Sequence, residues 1–251
     1  VSRLPALLLA PIVLRQAARL RTDVPRLPEA HGAKDGLVHG AFAPSGEGSE
    51  SVEPAVRALP HPLRLLVLGD STAMGTGVGV LDDAIPGRLA RLLAGTRAGA
   101  SGVAWRAVGR SGATSAQVLD GFATAAVAVH FDVAVVLVGW NDALRLRPPR
   151  EFARSLGALL DRLRLGSPDA RLLVVAPPEF ADFAVLPNPL RWALGFHARG
   201  LTRTSARVAR EHDAATAPGF DGRTVASDRF HPNAAGYQRL AEGIAAALSP
   251  E

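Results

Sequence analysis

Cysteine is absent from the 251 residues, which excludes disulfides, thiolate metal sites and cysteine nucleophiles together and leaves the redox compartment open. Lysine is almost absent too. Lys34 is the only one, so the basic residues are otherwise arginines scattered along the chain. The net charge is +5, yet no RNP-like aromatic motif or zinc-finger spacing accompanies it. A basic surface, not a nucleic-acid groove, is therefore expected. No Gly-Lys-Ser/Thr pair occurs, and Gly75-Thr76-Gly77-Val78-Gly79 lacks the G-x-G-x-x-G spacing, which argues against a nucleotide-binding α/β protein. What is present, 48% hydrophobic against 20% charged residues, is a globular balance with chain enough for one substantial domain.

Two segments precede the regular part. Residues 4–14 are apolar but cover only about half of the ~20 residues that span a bilayer. Arg15, Arg19 and Arg21 follow, with no acidic residue before Asp23. Arg3 is a thin basic start and no small-x-small cleavage site closes the run, so an interfacial anchor fits as well as an export signal. A helix packed on the domain is the third reading. Residues 1–30 are taken as this apolar/basic segment, with peripheral membrane contact expected through residues 4–21. Residues 31–62 turn to Gly, Ser, Glu and Pro and read as a flexible linker. Residues 63–251 are the folded domain.

Within that domain, the run Leu65-Leu66-Val67-Leu68 ends abruptly in Gly69-Asp70-Ser71. A continuous apolar run marks a strand buried on both faces of a parallel sheet. Similar strands are expected over residues 103–108, 133–138 and 171–176. Helical stripes lie between and after them: Leu89, Leu92 and Leu93; Val118, Leu119, Phe122 and Val129 behind a Ser115 cap; Phe152, Leu156, Leu159, Leu160 and Leu163. Leu190, Leu194, Leu201 and Val208 continue the pattern despite Gly195 and Gly200, and Tyr237, Leu240, Ile244 and Leu248 close it. Alternating β and α elements argue a three-layer α/β/α sandwich.

In open parallel sheets, ligands collect beyond the carboxyl ends of the strands, where Ser71 stands. A serine hydroxyl needs a base, normally an imidazole held by a carboxylate. Of the seven histidines, His231 has the right company, because Asp228 lies three residues before it and both can face one side of a turn. The bland alternative is a carboxylate capping a local turn beside a surface histidine. His61, His130 and His212 have no carboxylate so placed, and His197 reads as a core histidine. Gly112 and Asn141 follow the next two strands and offer a backbone N–H and a side-chain amide to a developing oxyanion. Singly, each also reads as a turn glycine or a helix cap. The G-x-S-x-G elbow is missing.

Taken in order, Gly69-Asp70-Ser71 with Gly75, the Gly112 loop, Gly139-Trp140-Asn141-Asp142 and Asp228-Arg229-Phe230-His231 resemble the blocks of the SGNH (GDSL-type) hydrolases. The resemblance implies a flavodoxin-like parallel sheet of about five strands and a serine hydrolase of carboxylic esters, an esterase or lipase. It implies Ser71 as nucleophile, His231 as base and Asp228 as its orienting carboxylate. The oxyanion hole would be the Ser71 and Gly112 N–H groups with the Asn141 amide, and no metal or organic cofactor is implied. A non-catalytic lipid- or carbohydrate-binding relative is the alternative. Trp140, Phe180 and Phe183 are expected at the substrate, the two phenylalanines from the apolar loop 179–189, which otherwise packs on the sheet. Acyl lipids, acetylated sugars, thioesters and small esters all suit such a core, and fold does not choose among them.

Overall fold

The computed structural model describes residues 4–40, 61–96 and 101–249. Six strands form one sheet: β1 (Asp35–Val38), β2 (Leu63–Gly69), β3 (Val103–Gly109), β4 (Val133–Leu137), β5 (Arg171–Val175) and β6 (Ala215–Ala217). Among the described residues seven α-helices accompany them: α1 (Leu4–Asp23), α2 (Ile85–Ala94), α3 (Ser115–Ala126), α4 (Trp140–Leu144), α5 (Pro149–Gly166), α6 (Leu190–Glu211) and α7 (Ala234–Leu248). The strand order is β1-β3-β2-β4-β5-β6, and every pair but β1–β3 is parallel. The five parallel strands thus have the 2-1-3-4-5 order of a flavodoxin-like sheet, with its switch point between β2 and β4.

The central strands are apolar on both sides because helices cover both sides. Val67, Leu68, Ala134, Val135 and Val136 are fully buried. On one side α2 packs with α7; on the other, α3, α5 and α6 pack in succession. The stripe Phe152, Leu156, Leu159, Leu160 and Leu163 is wholly buried, as a helix wedged between two others requires.

Three expectations are corrected. Residues 35–38, assigned to a linker, are a strand: β1 runs antiparallel along β3 and gives the sheet a sixth member at its edge. Residues 43–51, the core of that linker, lie outside the described residues. The inner face of α3 is completed by Ala123 and Ala126 instead of Val129, which is exposed beyond the helix end. Its cap is Thr114, whose side chain and Gln117 form a reciprocal capping box, while Ser115 is turned to another task.

Residues 4–23 are helical, with Pro11 inside α1, and α1 lies against α6. Gln16 fixes the junction: its Nε2 donates to Asn188 O at 2.7 Å and its Oε1 accepts from Leu190 N at 3.1 Å. Among the described residues no helix is long and apolar enough to cross a membrane.

Candidate active site

Register brings the site together before any side chain does. Gly69, the last residue of β2, is paired with Gly109 of β3 on one side and Leu137 of β4 on the other. Ser71, Gly112 and Asn141 follow those three partners by a few residues each, so they leave adjacent strands at the same end. The turn after β2 is held by Asp70, whose Oδ1 accepts from Thr72 N at 3.1 Å and whose carbonyl accepts from Met74 N at 3.1 Å. Tyr237 of α7 donates its hydroxyl to Thr76 O at 2.8 Å, fastening the loop to the last helix.

His231 arrives on a tight turn before α7. Ala226 N bonds His231 O at 2.8 Å and Asn233 N bonds Thr224 O at 2.9 Å, while Arg229 adopts φ +62° between them. Asn233 then caps α7 by accepting from Gly236 N. The nucleophile loop meets this turn closely at Gly77, where φ is +107° and a Cβ would stand 2.3 Å from Pro232 O. Only glycine fits there.

The result is a continuous chain of hydrogen bonds. His231 Nε2 lies 2.9 Å from Ser71 Oγ, and His231 Nδ1 lies 2.5 Å from Asp228 Oδ2. Asp228 Oδ1 accepts from Phe230 N at 2.9 Å and His231 N at 3.0 Å. Burial alone would raise the pKa of Asp228; the His231 ring bond and these two N–H bonds outweigh it and hold the carboxyl below its ordinary value. Asp228 is thus an anion aimed at Nδ1, which assigns the Nδ1–H tautomer and leaves Nε2 as an acceptor.

The three oxyanion candidates converge by their neighbours. Asn141 Nδ2 donates to Ala113 O at 3.1 Å and to Asp70 Oδ2 at 3.3 Å, so its amide spans residues adjacent to both Gly112 and Ser71. Both amide protons are engaged here, in bonds that join three separate loops. Among the described residues, neither the Ser71 nor the Gly112 N–H has a protein acceptor. Gly112 has φ +79° at a turn closed by Ala113 N on Arg110 O.

Two supports were not anticipated. Asp142, fully buried, accepts from Ser115 N at 2.9 Å and Ser115 Oγ at 2.8 Å, tying the residue after Asn141 to the start of α3 just past the Gly112 loop. Asp70 is also buried, and desolvation, with Asp142 nearby, raises its pKa to about 6 against the opposing Thr72 N–H and His231. Outside this cluster His212 does have a carboxylate, Asp161 Oδ1 at 2.9 Å from Nδ1, contrary to expectation. Its Nε2 lies beside Gly157, and among the described residues no hydroxyl bonds it.

A cleft opens onto Ser71 and His231, with apolar walls that include Leu137, Val138, Trp140, Phe220 and Phe230. Trp140 therefore lines the cleft. Phe180 and Phe183 do not: both are fully buried behind Trp140, with ring centroids 4.9 and 5.0 Å from it, and they brace the indole without lining the cleft. Among the described residues no group of His, Asp and Glu could hold a metal ion.

Residues 67–239 match the model of the GDSL-like Lipase/Acylhydrolase family. The chain is 30% identical over 251 residues to the GDSL-like esterase Rv1075c of Mycobacterium tuberculosis, across 94% of this chain and 76% of that protein. It is 32% identical over 125 residues to the GDSL lipase Rv0518 of the same organism, across 48% of this chain and 52% of that one. Among solved structures, TesA superposes with a TM-score of 0.61 at 23% identity, over 74% of this chain and 98% of that one. The acetylxylan esterase Axe2 of Geobacillus stearothermophilus does so with a TM-score of 0.56 at 18% identity, over 75% and 95%. These structural likenesses speak of fold alone.

Proposed function

The chain belongs to the GDSL-like Lipase/Acylhydrolase family of SGNH hydrolases, and on that premise we propose that it hydrolyses carboxylic esters through an acyl-enzyme on Ser71. The observation that carries this reading is the hydrogen-bonded chain Ser71 Oγ–His231 Nε2 and His231 Nδ1–Asp228 Oδ2. Ser71 Oγ attacks the ester carbonyl as its proton passes to His231 Nε2. The tetrahedral oxyanion takes the Ser71 and Gly112 N–H groups, and the Asn141 amide joins when it exchanges its longer bond, to Asp70, for the substrate oxygen. Collapse breaks the bond to the alkoxy oxygen, which leaves as the alcohol with the proton from His231. Water then gives a proton to His231 Nε2 and its oxygen to the acyl carbon, and the acid departs as Ser71 recovers its proton.

The apolar cleft walls favour an acyl chain or another apolar acid group. The curated relatives are named esterase and lipase, which agrees with an ester as substrate. The test is hydrolysis of p-nitrophenyl esters from acetate to palmitate by the wild type and by Ser71→Ala. Turnover should fall by about three orders of magnitude or more in the variant. Equal turnover in a pure variant would refute the assignment, and failure of Ser71 to react with a fluorophosphonate would favour a non-catalytic binding module.

A further inference from the structure

Six of the ten large apolar side chains that stand exposed among the described residues belong to α1, to α6, or to the end of α4 and the residues after it. On α6 they fall in a pattern. Trp192 (66% exposed) and Phe196 (76%) are followed at helical spacing by exposed Arg199 and Arg203, all on the face opposite buried Leu194 and Leu201. The only acidic residue of α6 is Glu211 at its far end, which is paired with Arg207. Arg199 and Arg203 have no ion-pair partner among the described residues. Beside the first turn of α6, Gln16 anchors α1, and Ile12, Leu14, Arg15 and Arg19, within about a turn of that anchor, are exposed. Two neighbouring helices thus each present bare apolar side chains next to unopposed arginines.

We propose that the outer faces of α1 and of the first half of α6 form a docking surface for an anionic lipid bilayer. Indole and phenyl rings settle at the boundary of headgroup and acyl chain, where aliphatic neighbours can also enter hydrocarbon. Arginine forks then meet lipid phosphates bidentately. The charge excludes a second copy of the same face, which would set arginine against arginine. The aliphatic members, Ile12 and Leu14, offer nothing on which a nucleobase could stack. Because α6 packs on α4, which begins with Trp140 and Asn141, a docked molecule holds the edge of the cleft near the bilayer. The docking itself does not depend on the hydrolytic reading.

The experiment is co-sedimentation of the full chain with vesicles of phosphatidylcholine alone and of phosphatidylcholine mixed with phosphatidylglycerol. The expected result is salt-sensitive binding to the mixed vesicles, weakened about tenfold or more by Trp192→Ser/Phe196→Ser and by Arg199→Gln/Arg203→Gln. Both variants should keep the wild-type melting temperature and turnover of a soluble short-chain ester. Absence of sedimentation with anionic vesicles overturns the proposal, as does sedimentation unchanged in both variants. It is likewise overturned if the two variants instead abolish the binding of a single-stranded oligonucleotide or a concentration-dependent dimer seen by light scattering.

Discussion

Glu29 Oε1 accepts a hydrogen bond from Ser111 N–H at 2.7 Å, so a residue 82 positions upstream braces the loop that carries Gly112. The same N-terminal stretch bonds the nucleophile loop, Ala30 N to Met74 O at 3.0 Å and His31 N to Gly79 O at 2.8 Å. Glu29→Ala should lower kcat about tenfold at nearly constant KM, because a lost charged hydrogen bond of about 1.5–3 kcal/mol loosens an oxyanion donor more than a ground-state contact. Glu29→Gln keeps the acceptor and should restore most of the rate. Steady-state kinetics of the two variants check this; equal losses in both, or a loss carried by KM, would contradict it.

Asp142 is the corresponding brace on the Asn141 side. Alanine there strands the Ser115 N–H and hydroxyl in a fully buried place, at about 1–3 kcal/mol for each group. Asparagine can keep both bonds, since the Ser115 hydroxyl can accept as well as donate. Chemical denaturation should therefore show Asp142→Ala weaker by about 3 kcal/mol or more and Asp142→Asn much closer to the wild type.

The legible parts of this molecule are those encoded locally. Leu65–Leu68 and the stripe of α5 announce themselves by uninterrupted or periodic apolar residues, and Asp228 and His231 are three positions apart on one turn. The pairs that stayed hidden join distant positions: Glu29 with Ser111, Asp142 with Ser115, Asp161 with His212. Only the finished sheet and its helices make these neighbours. β1 was hidden for another reason. Asp-Gly-Leu-Val is half-exposed at an edge, and its strand character comes from its partner β3 rather than from its own composition. Phe180 and Phe183 lie behind Trp140 and not in the cleft, a depth that is not legible because an apolar loop does not say whether it faces a cleft or the core behind it.

Asp228→Asn tests the orienting carboxylate with unusual specificity. Oδ1 is pinned by the Phe230 and His231 N–H groups, so the carbonyl of an asparagine must take that position and its NH₂ must face His231 Nδ1. Nδ1 then becomes an acceptor and the ring proton moves to Nε2, opposite Ser71. Turnover should drop about 10³–10⁴-fold with the fold intact, as expected when a triad histidine is held in the wrong tautomer. Pre-steady-state acylation and a thermal melt measure both halves of the statement.

Asp70 sets the last prediction, and its sign follows from the raised pKa. The folded carboxyl titrates at about 6 against an ordinary 3.8, mainly because burial disfavours its charge. Between those values the folded protein holds a proton that the unfolded chain has released, so stability falls as pH rises and levels off above the folded pKa. From pH about 4.5 to about 7.5 this group should cost about 2 kcal/mol of stability. Asp70→Asn cannot ionise, and its pH profile should lack that decline whatever constant offset its contacts with Thr72 and Asn141 introduce. Urea unfolding of both proteins at the two pH values decides the matter: a gap that shifts towards the variant as pH rises supports the buried charge, and parallel profiles refute it.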